Sequence, residues 1–272
     1  MSTHHTITKV TTEQLRRMKQ SGEKISALTA YDAIMASLLD ESGMDMILVG
    51  DSASTVFAGN DTTLPMTMEQ MLYHVRVVTK SVKRALVVAD MPFMSYHVSV
   101  EEAIRNAGRF MQEGHAEAIK LEGGIEFLPT IQRLVEIGIP VMGHLGLTPQ
   151  SIHKFGTYRT RGKQPDEAKK IISDAKALEK AGVFALVLEK VPVTLAKKIS
   201  ASITIPTIGI GAGPHCDGQI LVTHDMLGLY EKFHPRFVRR YAELGKAMRK
   251  AFASYHQDVK SNRFPTDKES YS

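Results

Sequence analysis

At 272 residues the chain suits one α/β barrel, which needs ~250 residues, and is too short for two large domains. A single cysteine, Cys216, excludes an internal disulfide and fits a reducing cytoplasm, while no apolar run nears the ~18 residues of a membrane helix and the polar opening, with His4 and His5, lacks the apolar stretch of a secretory signal. The formal net charge of +5 is spread along predicted helices, with one small group at Arg236, Arg239 and Arg240, and no basic block interleaves with aromatics, which argues against nucleic acid as a partner.

The chain opens with a predicted helix from Thr12, capped by Thr11 or Thr12 and stopped at Gly22. A short apolar run followed by a longer amphipathic stretch then recurs. Strand-length runs fall at 25–30, 46–49, 85–89, 118–121, 139–142, 185–188, 206–210 and 220–222. Helices are expected between them at 33–42, 67–83, 100–112, 125–137, 165–181 and 193–200. Ser99 opens the third as a capping box with Glu102, and Pro165 opens the fifth. Only nine residues separate Ile210 from Ile220, so the seventh crossover holds at most one helical turn. A last helix, 235–256, is long enough to cap the barrel, and 257–272 reads as a loose tail. Eight strands alternating with helices predict a closed (β/α)8 barrel, with residues 1–272 as one domain.

In such a barrel the chemistry gathers where strands end. Five consecutive predicted strands each deliver ionisable groups there: Asp51, Asp90, the Lys120–Glu122 pair, His144 and Glu189. Side chains alternate along a strand. Lys120 and Glu122 therefore share a face with Leu121 turned to the helices, and Ile47, Val49 and Asp51 share another, as do Val187 and Glu189. The apolar members of these sets are expected to fill the barrel.

Each residue alone has a plainer reading. Asp51 or Asp90 could cap a helix, Lys120 could be a surface lysine, His144 a hydrogen-bonded core histidine, and Glu189 a partner of Lys190 or Lys197. Their coincidence on one rim favours a site. Asp51, Asp90 and Glu122 offer hard oxygen donors, which suit Mg2+ better than zinc. A 2-oxo acid presents carboxylate and keto oxygens to such an ion, which polarises the keto group. Two other features are set aside: 209–213 (Gly-Ile-Gly-Ala-Gly) as a tight turn rather than a phosphate cradle, and Cys216 as an inert buried thiol.

At these residues the chain closely resembles the ketopantoate hydroxymethyltransferase family. The resemblance lies in Val-Gly-Asp-Ser (49–52), Val-Ala-Asp-Met-Pro-Phe (88–93), Ile-Lys-Leu-Glu-Gly-Gly (119–124), Pro-Val-Met-Gly-His-Leu-Gly-Leu-Thr-Pro-Gln (140–150) and Leu-Val-Leu-Glu (186–189), among others spanning nearly the whole chain. It implies transfer of a hydroxymethyl group from 5,10-methylenetetrahydrofolate to 3-methyl-2-oxobutanoate, giving 2-dehydropantoate in pantothenate biosynthesis. It further implies metal ligation by Asp51, Asp90 and Glu122, substrate binding by Asp51, Ser52, Asp90 and Lys120, Glu189 as proton acceptor, His144 in the active site, and a homo-oligomer, commonly a decamer. Two stretches depart from the family pattern: Ala53-Ser54-Thr55 follows Ser52 where Leu-Gly-Met is usual, and His97 follows Tyr96 where Gln is usual.

Two alternatives remain at this stage. A lyase or mutase of the phosphoenolpyruvate mutase/isocitrate lyase type shares the acidic rim, but its Lys-Lys-Cys-Gly loop is missing here. A non-catalytic metabolite-binding barrel would keep the fold without the chemistry.

Overall fold

Parallel pairing closes all eight strands into one ring in chain order, β1 (Ile25–Thr29), β2 (Met46–Val49), β3 (Leu86–Asp90), β4 (Ala118–Lys120), β5 (Val141–Gly146), β6 (Ala185–Glu189), β7 (Thr207–Ile210) and β8 (Gly218–Leu221), with β8 returning to β1. The computed structural model describes residues 8–230 and 235–271, so His4 and His5 lie outside the described residues. The order is the one expected from the apolar runs. The boundaries differ most at β5, which extends to Gly146 and so carries His144 within the strand.

Helices cover the ring. α1 (Thr12–Ser21) is capped by the Thr11 hydroxyl and ended by Gly22 in the left-handed region, as the sequence predicts. α2 (Ala33–Glu41) starts at the Asp32 carboxylate, and a single turn, α3 (Ala53–Val56), follows β2. α4 (Met68–Thr79) carries a full capping box between Thr67 and Gln70. α5 (Val100–Gln112) opens on Ser99, whose hydroxyl accepts the Glu102 N–H. The expected 125–137 helix divides into a 3-10 turn, Ile125–Phe127, and α6 (Leu128–Glu136). A short α7 (Ile152–Phe155), then α8 (Pro165–Lys180) and α9 (Val193–Ser202) complete the layer.

Alternate strand residues divide between two apolar clusters. Ile47, Val49, Val87, Ala89, Ile119, Leu121, Leu186 and Leu188 pack with helix residues such as Leu72 and Phe110. Met46, Leu48, Leu86, Val88, Ala118, Met142, Ala185 and Val187 form the other, with Leu15 and Met18 of α1. The second cluster is the barrel interior, plugged at its N-terminal end by α1. Lys19 of α1 donates there to the carbonyls of Ser200 and Ile205.

This corrects one expectation: Ile47 and Val49 face the helices, not the interior. The alternation stops at Gly50, where the chain turns into α3 through bonds from Ala53 N–H to the Gly50 carbonyl and from Ser54 N–H to that of Asp51. Asp51 enters the mouth by this turn, not by strand parity. Elsewhere parity holds: Leu86–Val88–Asp90, Ala118–Lys120, Met142–His144 and Val187–Glu189 run up the interior from apolar to ionisable.

Val222–Ser272 forms a separate compact unit. It contains α10 (Thr223–Met226), α11 (Leu244–Lys260) and a 3-10 turn, Asp267–Glu269. The last long helix therefore starts at Leu244, well after Pro235. The preceding backbone is engaged elsewhere: Tyr241 N–H bonds to the Met226 carbonyl and Leu244 N–H to that of Leu227. At the other end α11 runs into the stretch read as tail, and Thr266 caps the Asp267–Glu269 turn. Among the described residues no helix is long and apolar enough to cross a membrane.

Candidate active site

Strand register brings the ionisable residues together at the C-terminal mouth. Asp90 and Lys120 are direct partners across β3 and β4, and the Lys120 ammonium donates to Asp90 Oδ1 at 2.7 Å. Glu122 lies just past β4, where Gly123 N–H bonds to the His144 carbonyl. Its Oε1 is 3.8 Å from Lys120 Nζ and 3.4 Å from His144 Nδ1. The other imidazole nitrogen, Nε2, is 3.4 Å from Glu189 Oε2. Neither His144 contact has the direction of a full hydrogen bond. Asp51 joins the group through its N–H, 3.2 Å from Asp90 Oδ2.

The structure thus gathers Asp51, Asp90, Lys120, Glu122, His144 and Glu189 into one cluster. Lys120 is 3% exposed, which removes the surface-lysine reading. Glu189 meets His144 and forms no ion pair with Lys190 or Lys197 among the described residues. Ser52 stands beside the cluster, its hydroxyl 2.9 Å from the Tyr31 hydroxyl.

Burial sets the electrostatics. It pushes Asp51 well above the usual carboxylate range, helped by the charges of Asp90 and Glu122. Burial likewise raises Asp90, although Lys120 pulls the other way. For Lys120, burial opposes the charge, but Asp90, Glu122 and Asp51 outweigh it and hold the ammonium above its ordinary range. Burial would also raise Glu122, yet His144, Lys120 and the Gln150 N–H lower it. His144 is pushed up to about 9, since Glu122 and Glu189 overcome its burial. It is therefore an imidazolium at neutral pH, held between two carboxylates.

Sequence reasoning missed two residues that organise this cluster. Gln150, 5% exposed, donates its amide to Asp51 Oδ2 and to the Met91 carbonyl, both at 2.9 Å, and its backbone N–H to Glu122 Oε2 at 3.0 Å. The Tyr96 hydroxyl donates to Gln150 Oε1 at 2.8 Å and accepts the Glu122 N–H at 3.2 Å. Gln150 closes the long 140–150 stretch, but a neutral amide six residues past His144 carries no periodic signal. The Ala53-Ser54-Thr55 stretch is well tied down: Ser54 Oγ donates to the Thr62 carbonyl at 2.7 Å and accepts from Asn60 at 3.1 Å. Gly209 and Ile210 end β7, and 211–213 lead on toward β8 with no helix between, so no helix N-terminus is available for phosphate. Burial pushes the Cys216 thiol up, in keeping with an inert side chain.

The donors suit a hard divalent cation. Among the described residues no three His, Cys, Asp or Glu side chains converge as a ready cage. Magnesium does not require one, since it is commonly held by one or two carboxylates with waters completing the shell. Asp51 and Asp90 meet that need, as two hard oxygen donors buried side by side at the mouth.

The backbone is similar to those of phosphonopyruvate hydrolase solved with oxalate and Mg2+ (TM-score 0.64, 16% identity, covering 95% of this chain and 92% of that one) and 2,3-dimethylmalate lyase, a PEP mutase/isocitrate lyase superfamily member (TM-score 0.61, 16%, 96% and 91%). These likenesses place the fold in the class of (β/α)8 barrels. The particular family is given by sequence. Residues 9–267 match the ketopantoate hydroxymethyltransferase family, and the chain belongs to it. The 3-methyl-2-oxobutanoate hydroxymethyltransferase of Chlorobaculum parvum is 57% identical over 266 residues, 96% of each chain. That of Parabacteroides distasonis is 59% identical over 263 residues, 97% of this chain and 96% of that one.

Proposed function

We propose that this enzyme transfers a hydroxymethyl group from 5,10-methylenetetrahydrofolate to 3-methyl-2-oxobutanoate. One water is consumed, and 2-dehydropantoate and tetrahydrofolate are released. The observation that carries the reading is the cluster of buried Asp51, Asp90, Lys120, Glu122 and His144 with half-buried Glu189 at the barrel mouth in a chain of this family.

The reaction needs a carbanion at C3 of the oxo acid. Asp51 and Asp90, with Glu122 beside them, would hold Mg2+, which would supply Lewis acidity toward the oxo acid. Asp51, Ser52, Asp90 and Lys120 bind and orient the oxo acid. The Lys120 ammonium, locked in charged form by its neighbours, stabilises negative charge as it develops on the keto oxygen. Glu189 is the one carboxylate of the cluster that comes from β6, so it can reach C3 from another side and take the proton. His144 sits 3.4 Å behind it and holds its orientation. The resulting nucleophilic carbon attacks the one-carbon unit of the folate. The enzyme acts as a homo-oligomer, a decamer on the family's pattern; exposed Ile34 and Leu38 on α2 and Tyr73 on α4 support self-association.

The test is product formation from the two substrates. Chelation should abolish 2-dehydropantoate formation and Mg2+ should restore it. Full turnover after rigorous metal removal, or no product with Mg2+ present, overturns the reading.

A further inference from the structure

A cavity of 670 Å3 opens beside the ionisable cluster. The two share a wall made of Tyr96, Glu122 and Gln150, while Asp51, Asp90 and Lys120 stay out of its lining. The volume falls in the range of sites for drug-sized ligands and exceeds what a small oxo acid fills.

Its chemistry is uneven. Along the shared wall lies a connected group of rings. His97 is 4.0 Å centroid to centroid from Tyr96 and 5.2 Å from Phe127, and Phe93 is 5.1 Å from His97. The His97 Nδ1 accepts the Met94 N–H at 3.2 Å, which leaves Nε2–H as its donor. Burial holds this imidazole below its ordinary range, so it is a neutral flat ring. Away from the rings the cations are mostly paired: Lys170 with Asp174 and Glu126, and Arg161 with Glu167 while stacked on Phe155. Lys154 is exposed and has no carboxylate within ion-pair distance among the described residues.

We propose that this cavity seats the one-carbon carrier. Its reduced pterin lies against Phe93, His97 and Phe127, and its anionic glutamyl tail meets Lys154. The assignment rests on the functional reading above. An aromatic platform at one end and a single available cation at the other fit a flat heterocycle with a carboxylate tail. The seat puts the ring one side chain from the centre, since Tyr96 bonds directly to Gln150 and to Glu122. His97 and Phe127 thereby become specificity residues for the carrier.

The test uses the Mg2+-loaded enzyme with oxo acid bound and titrates tetrahydrofolate, then a tetrahydropterin lacking the glutamyl tail. Lys154→Glu should weaken tetrahydrofolate binding about tenfold or more, the scale of one charged contact, and leave the tail-less pterin unaffected. Phe127→Leu should weaken both ligands. Exchange of the C3 proton of the oxo acid, which needs no carrier, should stay at the unmodified rate in both variants. Lys154 lies on the surface, so its variant folds even where Phe127→Leu does not. Normal C3 exchange with unchanged tetrahydrofolate affinity in Lys154→Glu overturns this assignment alone, as does an equal loss for the tail-less pterin. Absence of C3 exchange in the unmodified enzyme overturns the functional reading and the assignment with it.

Discussion

Replacing Lys120 by methionine keeps the stem and removes the charge. The Lys120 and Asp90 side chains are 4% and 2% exposed, so water does not take over from the lost ammonium. Removing one partner of a buried pair costs ~3–5 kcal/mol. At roughly 2–4 °C of melting temperature per kcal/mol for a domain of this size, the shift is about 6–20 °C. The loss should depend on pH. Asp90 is already raised by burial with Lys120 in place, and without the ammonium it rises further. A group whose folded pKa lies above its unfolded value, ~3.9 for Asp, contributes stability at low pH and loses it as pH climbs through the folded value. Lys120 is held above its ordinary range and stays charged throughout that window. The deficit of Lys120→Met is therefore small near pH 4 and grows toward pH 8. Denaturant midpoints of both proteins at the two pH values, in chelator so that no divalent ion compensates, measure it. A deficit under ~1 kcal/mol at pH 8, or the same deficit at both pH values, would refute the view that Lys120 balances these carboxylates.

Two further perturbations probe the same mouth. Glu189→Gln keeps shape but removes the base, so C3 exchange in deuterated solvent should fall by ~10²–10⁴ while oxo-acid binding persists; exchange at the unmodified rate rejects Glu189 as the proton acceptor. Gly146, at φ 97°, lies where an added Cβ would stand 2.2 Å from the Glu189 carbonyl. Gly146→Ala should therefore lower the melting temperature more than Gly156→Ala, whose Cβ would meet open space, and should slow C3 exchange as well; equal melting shifts for the two would show that the close approach at Gly146 is unimportant.

Much of the barrel was legible before any coordinates. Strand-length apolar runs, each bounded by Gly, Pro or charge, mark largely buried strands, and these survive as β1 to β8 in chain order. Thr11, Ser99 and Gly22 act where the sequence places them because cap chemistry is local. The 235–256 helix starts late, at Leu244, since apolar spacing cannot show that Tyr241 and Leu244 N–H groups bond to the carbonyls at the end of α10.

The sequence by itself determined which residue types stand at the strand ends, because Asp90, Lys120, His144 and Glu189 continue a period-two pattern that any closed barrel must point inward. Only the tertiary structure decided how they meet. Asp51 escapes the pattern, entering through the turn at Gly50, where two backbone bonds redirect the chain. Gln150 reaches Asp51 across 99 positions of sequence, a contact that exists only when β2 and the loop after β5 share one mouth. The charge states follow from the same convergence. A carboxylate far from others in sequence is an ordinary acid, whereas three of them buried around one ammonium and one imidazolium push their pKa values in opposite directions. That outcome depends on distance and lost water, which are properties of the fold and not of the residue order.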